Sequence, residues 1–202
     1  MSDSVYHASI TLGSSEYSFQ YEDCGRYEKF DEYGAPVLKY GDTCAISSTP
    51  QLAASKCIER AIFAVVKNLA NDKESIDTSN TVITVYEIES SPDLDCSNAV
   101  YGDFHLIQEV RFEDESKFPL DGSKCTEVTV PEEVYEDVEL TYLPQIYSSG
   151  EIFDTWGESV IQGIHKLVTT GKYPVIEDEF DVERPDADAY RSLPKDMPPS
   201  VV

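Results

Sequence analysis

The chain has 202 residues, 39 acids against 15 bases and a formal net charge of −24. At that length it buries about 70% of the surface it exposes when unfolded, so folding needs neither a disulfide nor a metal. With 41% hydrophobic and 11% aromatic residues it is not a wholly disordered chain. No stretch approaches the ~20 apolar residues of a membrane span, and the charge argues against unaided binding to nucleic acid or to an anionic membrane.

The first segment reads as a β-meander. Tyr6, Ala8, Ile10 and Leu12 alternate with polar residues, Gly13-Ser14-Ser15 is a turn, and Tyr17, Phe19 and Tyr21 alternate again. The pattern predicts a hairpin with one wet face, on which His7 lies. A third strand is expected around Val37 to Tyr40, between two turns.

A helix is predicted from about Pro50 to Leu69. Thr49 suits the N-cap and Pro50 the first helical position. Leu52, Ala54, Ile58, Ala61, Ile62, Val65, Val66 and Leu69 recur at three- and four-residue steps. Lys56, Arg60 and Lys67 lie on the other side and read as an ordinary wet face, with an anion contact or a dock for the acidic tail as the functional reading.

Thr81 to Glu89 is β-branched and strand-like, and Phe104 to Phe112 reads as another strand with Phe104, Leu106, Val110 and Phe112 on one face. Cys125 to Val130 is a further strand. Pro131 to Pro144 fits a helix at Val134 and Val138 but a strand at Leu140 and Tyr142. A second long helix runs from about Gly150 to Thr170, with Ile152, Phe153, Trp156, Val160, Ile164, Leu167 and Val168 as its stripe and Gly171 as its stop. Gly157 and Gly163 weaken it; close packing on a neighbouring element is the physical reason to place them there.

Residues 173–202 hold five of the eleven prolines, eight acids and three bases, and no glycine. Such a segment cannot cover itself, so it is expected to be extended or disordered unless something binds it. The expected fold is α+β: a mainly antiparallel sheet with two amphipathic helices on one face, spanning residues 1–172, plus an acidic, Pro-rich C-terminal arm over 173–202.

The five cysteines, Cys24, Cys44, Cys57, Cys96 and Cys125, are odd in number and show no two-residue gap, so they read as free, mostly structural thiols. Met1 to His7 shows no basic n-region or apolar h-region, which places the expected site of action in the cytoplasm or a virion rather than outside a cell. No G-x-G-x-x-G, P-loop, H-E-x-x-H or EF-hand loop occurs. Asp93, Asp95 and Asp103 read as a flexible acidic loop, without the fixed spacing of a cation site.

The acidity is blocky. Residues 74–110 carry eight acids and residues 125–165 carry nine, and neither block holds a Lys or Arg. With no local counter-ions, these carboxylates are expected in water and on large negative faces. The function expected from this is that of a non-catalytic protein-interaction protein. It would be a structural or assembly component, for example of a virus particle, that docks to basic surfaces of partner subunits. The alternatives are a DNA-mimicking inhibitor of a nucleic-acid-binding protein and an unrecognised hydrolase.

The expected contact residues are Glu127, Glu132, Glu133, Glu136, Asp137 and Glu139 of the second block, with Glu87, Glu89, Asp93 and Asp95 of the first. Tyr135, Tyr142, Phe180 and Tyr190 add aromatic contact area with a polar end. No catalytic, cofactor or metal residue is assigned. The expected partner is a protein with a basic surface, in a homo-oligomer or a larger assembly, without direct nucleic-acid or membrane contact.

Overall fold

The computed structural model describes residues 4–12, 15–18, 52–70, 81–95, 104–112, 124–142 and 151–186. They form seven strands: β1 (Val5–Leu12), β2 (Ser15–Ser18), β3 (Leu52–Ser55), β4 (Thr81–Ile88), β5 (Leu94–Asp95), β6 (Glu109–Phe112) and β7 (Lys124–Val130). Five helices accompany them: α1 (Ile58–Ala70), α2 (Phe104–Ile107), α3 (Glu132–Tyr142), α4 (Glu151–Thr170) and α5 (Ile176–Phe180). Among the described residues no helix is long and apolar enough to cross a membrane.

The strands form one sheet in the order β5-β6-β3-β1-β4-β7, with β2 also paired to β1. All the pairings are antiparallel. The β1–β2 register, Leu12 opposite Ser15, is the expected hairpin. The expected strand at Val37 to Tyr40 and the predicted N-cap Thr49 lie outside the described residues.

The α+β architecture stands, with α1, α3 and α4 packed into one core. Ala8, Ile10, Ala53, Ile83, Val85, Val128 and Val130 supply the sheet side of that core. The middle of α1 is buried on every side: Ala61, Ile62, Phe63, Ala64, Val65 and Val66 are all at most 2% exposed. It packs on β1 and also meets α3 and α4, so a one-sided stripe is not enough for it.

Three expectations are corrected. The helix begins at Ile58, because Leu52 to Ser55 form β3 between β1 and β6. All four β3 residues are buried. A strand dry on both faces loses its period of two, and its apolar run blends into a following helical stripe. The strand expected over Phe104 to Phe112 is a short helix followed by β6, separated by Gln108 at φ 51°. That turn sends Leu106 to the helix side of the sheet and Val110 and Phe112 to the other side.

The third correction is the wet face. Val5, Leu52, Ala54, Ile88, Val110 and Phe112 form a second buried cluster on the sheet face away from the helices. His7 lies on that face at 1% exposure, with Nδ1 2.8 Å from the Ala53 carbonyl and its ring stacked on Tyr86. Burial holds its pKa below the usual histidine value.

The ambiguous segment after Pro131 is helical. Val134, Tyr135, Val138 and Leu140 face the core, and Trp156, Val160, Ile161, Ile164 and Leu167 meet it from α4. The C-terminal segment is described as far as residue 186. Over that span it lies on the body: Ile176 is fully buried, and Tyr173, Phe180 and Val182 pack against the same core.

Candidate partner-binding site

β7 is the last strand of the sheet and pairs only with β4 among the described residues. Val128 and Val130 point into the core, whereas Lys124, Cys125, Thr126, Glu127 and Thr129 are exposed. Pro131 ends the strand, and its carbonyl accepts from the Val134 N–H at 3.2 Å to open α3. Glu132 and Glu133 occupy the first turn, where anions suit the positive end of the helix. One face of α3 is core. The other presents Glu132, Glu133 and Glu136 to water, with Glu139 half-buried. Like charges at three- and four-residue steps repel, so this stripe destabilises the isolated helix.

A cleft of about 550 Å³ opens beside that stripe. Gly171, at φ +74°, ends α4, with its N–H bonded to the Leu167 carbonyl at 2.8 Å. The chain then runs back along α4. A Cβ on Gly163 would stand 2.5 Å from Ile176 Cδ1 and 2.9 Å from Tyr173 Cε2, so this close approach needs glycine. The returning segment and α3 make the walls.

Asp137 sits in this cleft at 5% exposure. Tyr173 donates its hydroxyl to Oδ2 at 3.1 Å. Oδ1 is buried and accepts no hydrogen bond. The nearest cation is Arg184, with Nη2 3.4 Å from Oδ1, an ion pair too long to be a good hydrogen bond. Burial raises the Asp137 pKa to about 6; Arg184 and Tyr173 pull it down, and Glu177 and Glu136 push it up. The Tyr173 hydroxyl is raised far above the usual tyrosine value by burial and by the Asp137 charge. Arg184 also lies 3.7 Å from Glu136 and 3.8 Å from Glu177, so one guanidinium is shared by three carboxylates.

The carboxylate blocks are answered from a distance, which corrects the expectation of uniformly unpaired, hydrated acids. Lys124 lies 3.4 Å from Glu89 and 3.7 Å from Glu87, and Ser4 donates to Glu87 at 2.8 Å. Lys56 pairs with Asp95 at 2.8 Å. Arg60 grips Glu158 through both terminal nitrogens and donates to the Leu106 carbonyl. Glu109 is not hydrated at all. It is fully buried under α1 and paired with Arg111. Lys67 shares that region, its pKa pushed down to about 8 by burial and partly restored by Glu109. The side of α1 expected to be a plain wet face is therefore tied into the molecule at Arg60 and Lys67.

The predicted contact residues divide into groups. Glu127, Glu132, Glu133 and Glu136 are exposed along β7 and α3. Glu87 lies on the neighbouring strand β4 and Glu89 just beyond its end, both near Lys124. Asp93 and Asp95 are exposed at the β5 edge. That is five strand spacings from β7, about 24 Å. Tyr135 is not a contact surface. It is fully buried and its hydroxyl meets Thr81, because position 135 falls on the core face of α3. Phe180 packs on the core with Lys166 Nζ 5.7 Å from its ring centre. Tyr142 closes α3, its side chain outside the described set, and Tyr190 lies outside the described residues.

Sequence reasoning missed Tyr173, Glu177 and Arg184. The glycines at 157 and 163 were the available signal, since each marks a close approach: Gly157 to Leu106 and Gly163 to the returning segment. Cys57 is no activated nucleophile, because burial and Glu59 push its thiol up to about 11. Among the described residues no group of three or more His, Cys, Asp or Glu could hold a metal ion. Comparison of the chain with protein-family models, with curated proteins and with solved structures finds no match.

Proposed function

We propose that the chain is a non-catalytic interaction protein, a structural or assembly component that docks a basic surface of a partner through the β7–α3 edge. The observation that carries this reading is the exposed row Glu127, Glu132, Glu133 and Glu136 beside a sheet edge. Such a row steers a basic partner and fixes its register more than it adds affinity. A DNA mimic calls for a continuous run of carboxylates at duplex spacing. The distance of Asp93 and Asp95 from this row favours docking over mimicry. A hydrolase calls for paired acids at the reacting centre. Asp137 shares its cleft with three glutamates, but its own oxygens face Tyr173 and Arg184 rather than a second carboxyl.

The test is binding of a hexa-arginine peptide as ionic strength rises. Glu132→Gln/Glu133→Gln/Glu136→Gln is expected to weaken binding at least tenfold at low salt, and Asp93→Asn/Asp95→Asn to leave it within twofold. Equal losses in the two variants would show bulk charge alone and refute a β7–α3 site.

A further inference from the structure

Four carboxylates line the cleft: Glu133, Glu136, Asp137 and Glu177, against Lys172 and Arg184. An acidic cluster alone specifies nothing. What points to a ligand is Asp137, more than nine-tenths buried with Oδ1 accepting no hydrogen bond. A buried anionic oxygen without a donor is costly, and a charged donor is the strongest remedy. Arg184 reaches toward it but stops at 3.4 Å, spread over three acids and 43% exposed. It occupies the place of a ligand without making a ligand's hydrogen bonds.

We propose that the cleft receives a guanidinium side chain from a basic partner segment, and that Arg184 is the chain's own removable occupant of that pocket. This deepens the docking reading and rests on it: the exposed row on α3 attracts the partner, and the pocket beside it takes one arginine. Guanidinium suits the place because its planar fork can give Oδ1 a direct donor while a second nitrogen faces Glu136 or Glu177. A volume of about 550 Å³ admits such a side chain once Arg184 swings out. Arg184 lies beyond the last described helix and is part-exposed, so it leaves without unpacking the core.

The experiment is a hexa-arginine titration of the full chain and two variants, read by calorimetry and by the indole N–H resonance of Trp156. This is the chain's single tryptophan, and its indole donates to the Asp137 carbonyl. Removing an internal competitor tightens apparent binding by the inverse of the free fraction, so Arg184→Ala is expected to bind at least threefold more tightly than the parent. Asp137→Asn is expected to bind at least threefold more weakly, and the Trp156 resonance of the parent to move on titration. Unchanged or weaker binding by Arg184→Ala, with a still Trp156 resonance, would overturn the pocket while leaving the α3 row untouched. Conversely, a lost effect of the three-glutamate variant beside tighter Arg184→Ala binding would refute the row and keep the pocket. Circular dichroism of Arg184→Ala and Asp137→Asn separates lost binding from lost fold; if Asp137→Asn unfolds, Arg184→Ala alone decides.

Discussion

Trp156 of α4 donates its indole N–H to the backbone carbonyl of Asp137 in α3 at 3.0 Å, and both residues are buried. One bond thus ties α4 to α3 at Asp137, a residue that lines the cleft. Truncation to Ala removes the largest buried side chain as well as this donor. Trp156→Ala is expected to cost about 3–5 kcal/mol in urea unfolding, and Trp156→Phe about 1–2 kcal/mol. Both variants lose the donor, so equal costs would mean that the hydrogen bond accounts for the whole loss and the ring volume carries no weight of its own.

Glu109 and Arg111 form a buried pair on β6, each at most 1% exposed at the side chain. Removing one partner leaves a charge stranded. Arg111→Met is expected to destabilise by about 3–5 kcal/mol, and Glu109→Leu/Arg111→Met by less than the single change. Guanidinium unfolding of the three proteins checks the order. A double variant worse than Arg111→Met would show that the pair is net stabilising against an apolar replacement.

The raised pKa of Asp137 sets a pH signature. The folded carboxyl holds its proton up to about 6, whereas the unfolded one releases it near 3.8. Between these values the native state binds more protons, so this group's contribution is full below pH 3.8 and is lost as pH rises through 6. His7, lowered by burial, works in the opposite direction and loses stability as pH falls. The difference between the parent and Asp137→Asn isolates the carboxylate. The melting temperature of Asp137→Asn relative to the parent is expected to climb from pH 4 to 6 and to level off above. A flat difference would mean that Asp137 titrates as an ordinary surface acid.

Gly163 and Gly157 make a matched pair of tests. Gly163→Ala drives a methyl into both Ile176 and Tyr173, so the 173–186 segment is expected to lift from α4 and to be cut faster by protease while the helical signal persists. Gly157→Ala meets only the end of the Leu106 side chain, which can rotate, so a near-neutral change is expected. Equal protease sensitivity in the two variants would contradict the seating of the segment in the Gly163 notch.

Much of the fold is legible in residue order. β4, β7 and α4 follow from alternation or from three-and-four spacing, because each has one dominant buried face, and the β1–β2 hairpin follows because polar and apolar residues alternate along β1 even though both of its faces are buried. β3 escaped because it is four residues long and buried on both faces, so period-two reasoning has nothing to read there. β6 was read as the end of a longer strand, and what the alternation hid is the helical turn of α2 and the break at Gln108. The acidic row on α3 was visible from the missing lysines and arginines. The cleft was not, since it depends on Arg184 returning to a helix 47 positions earlier, at Asp137. Blocks without local counter-ions said nothing of Lys124, Arg60 and Arg184, which reach them through space.

The notch at Gly163 also orders events during synthesis. The pocket's far wall is the stretch after Gly171, so α3 and α4 can form their contacts while that wall is still unmade. A nascent chain therefore holds the glutamate row before the cleft beside it has its second wall. Under the proposed docking, a basic partner met in that interval would find only the row, and the pocket would become complete when the returning segment seats.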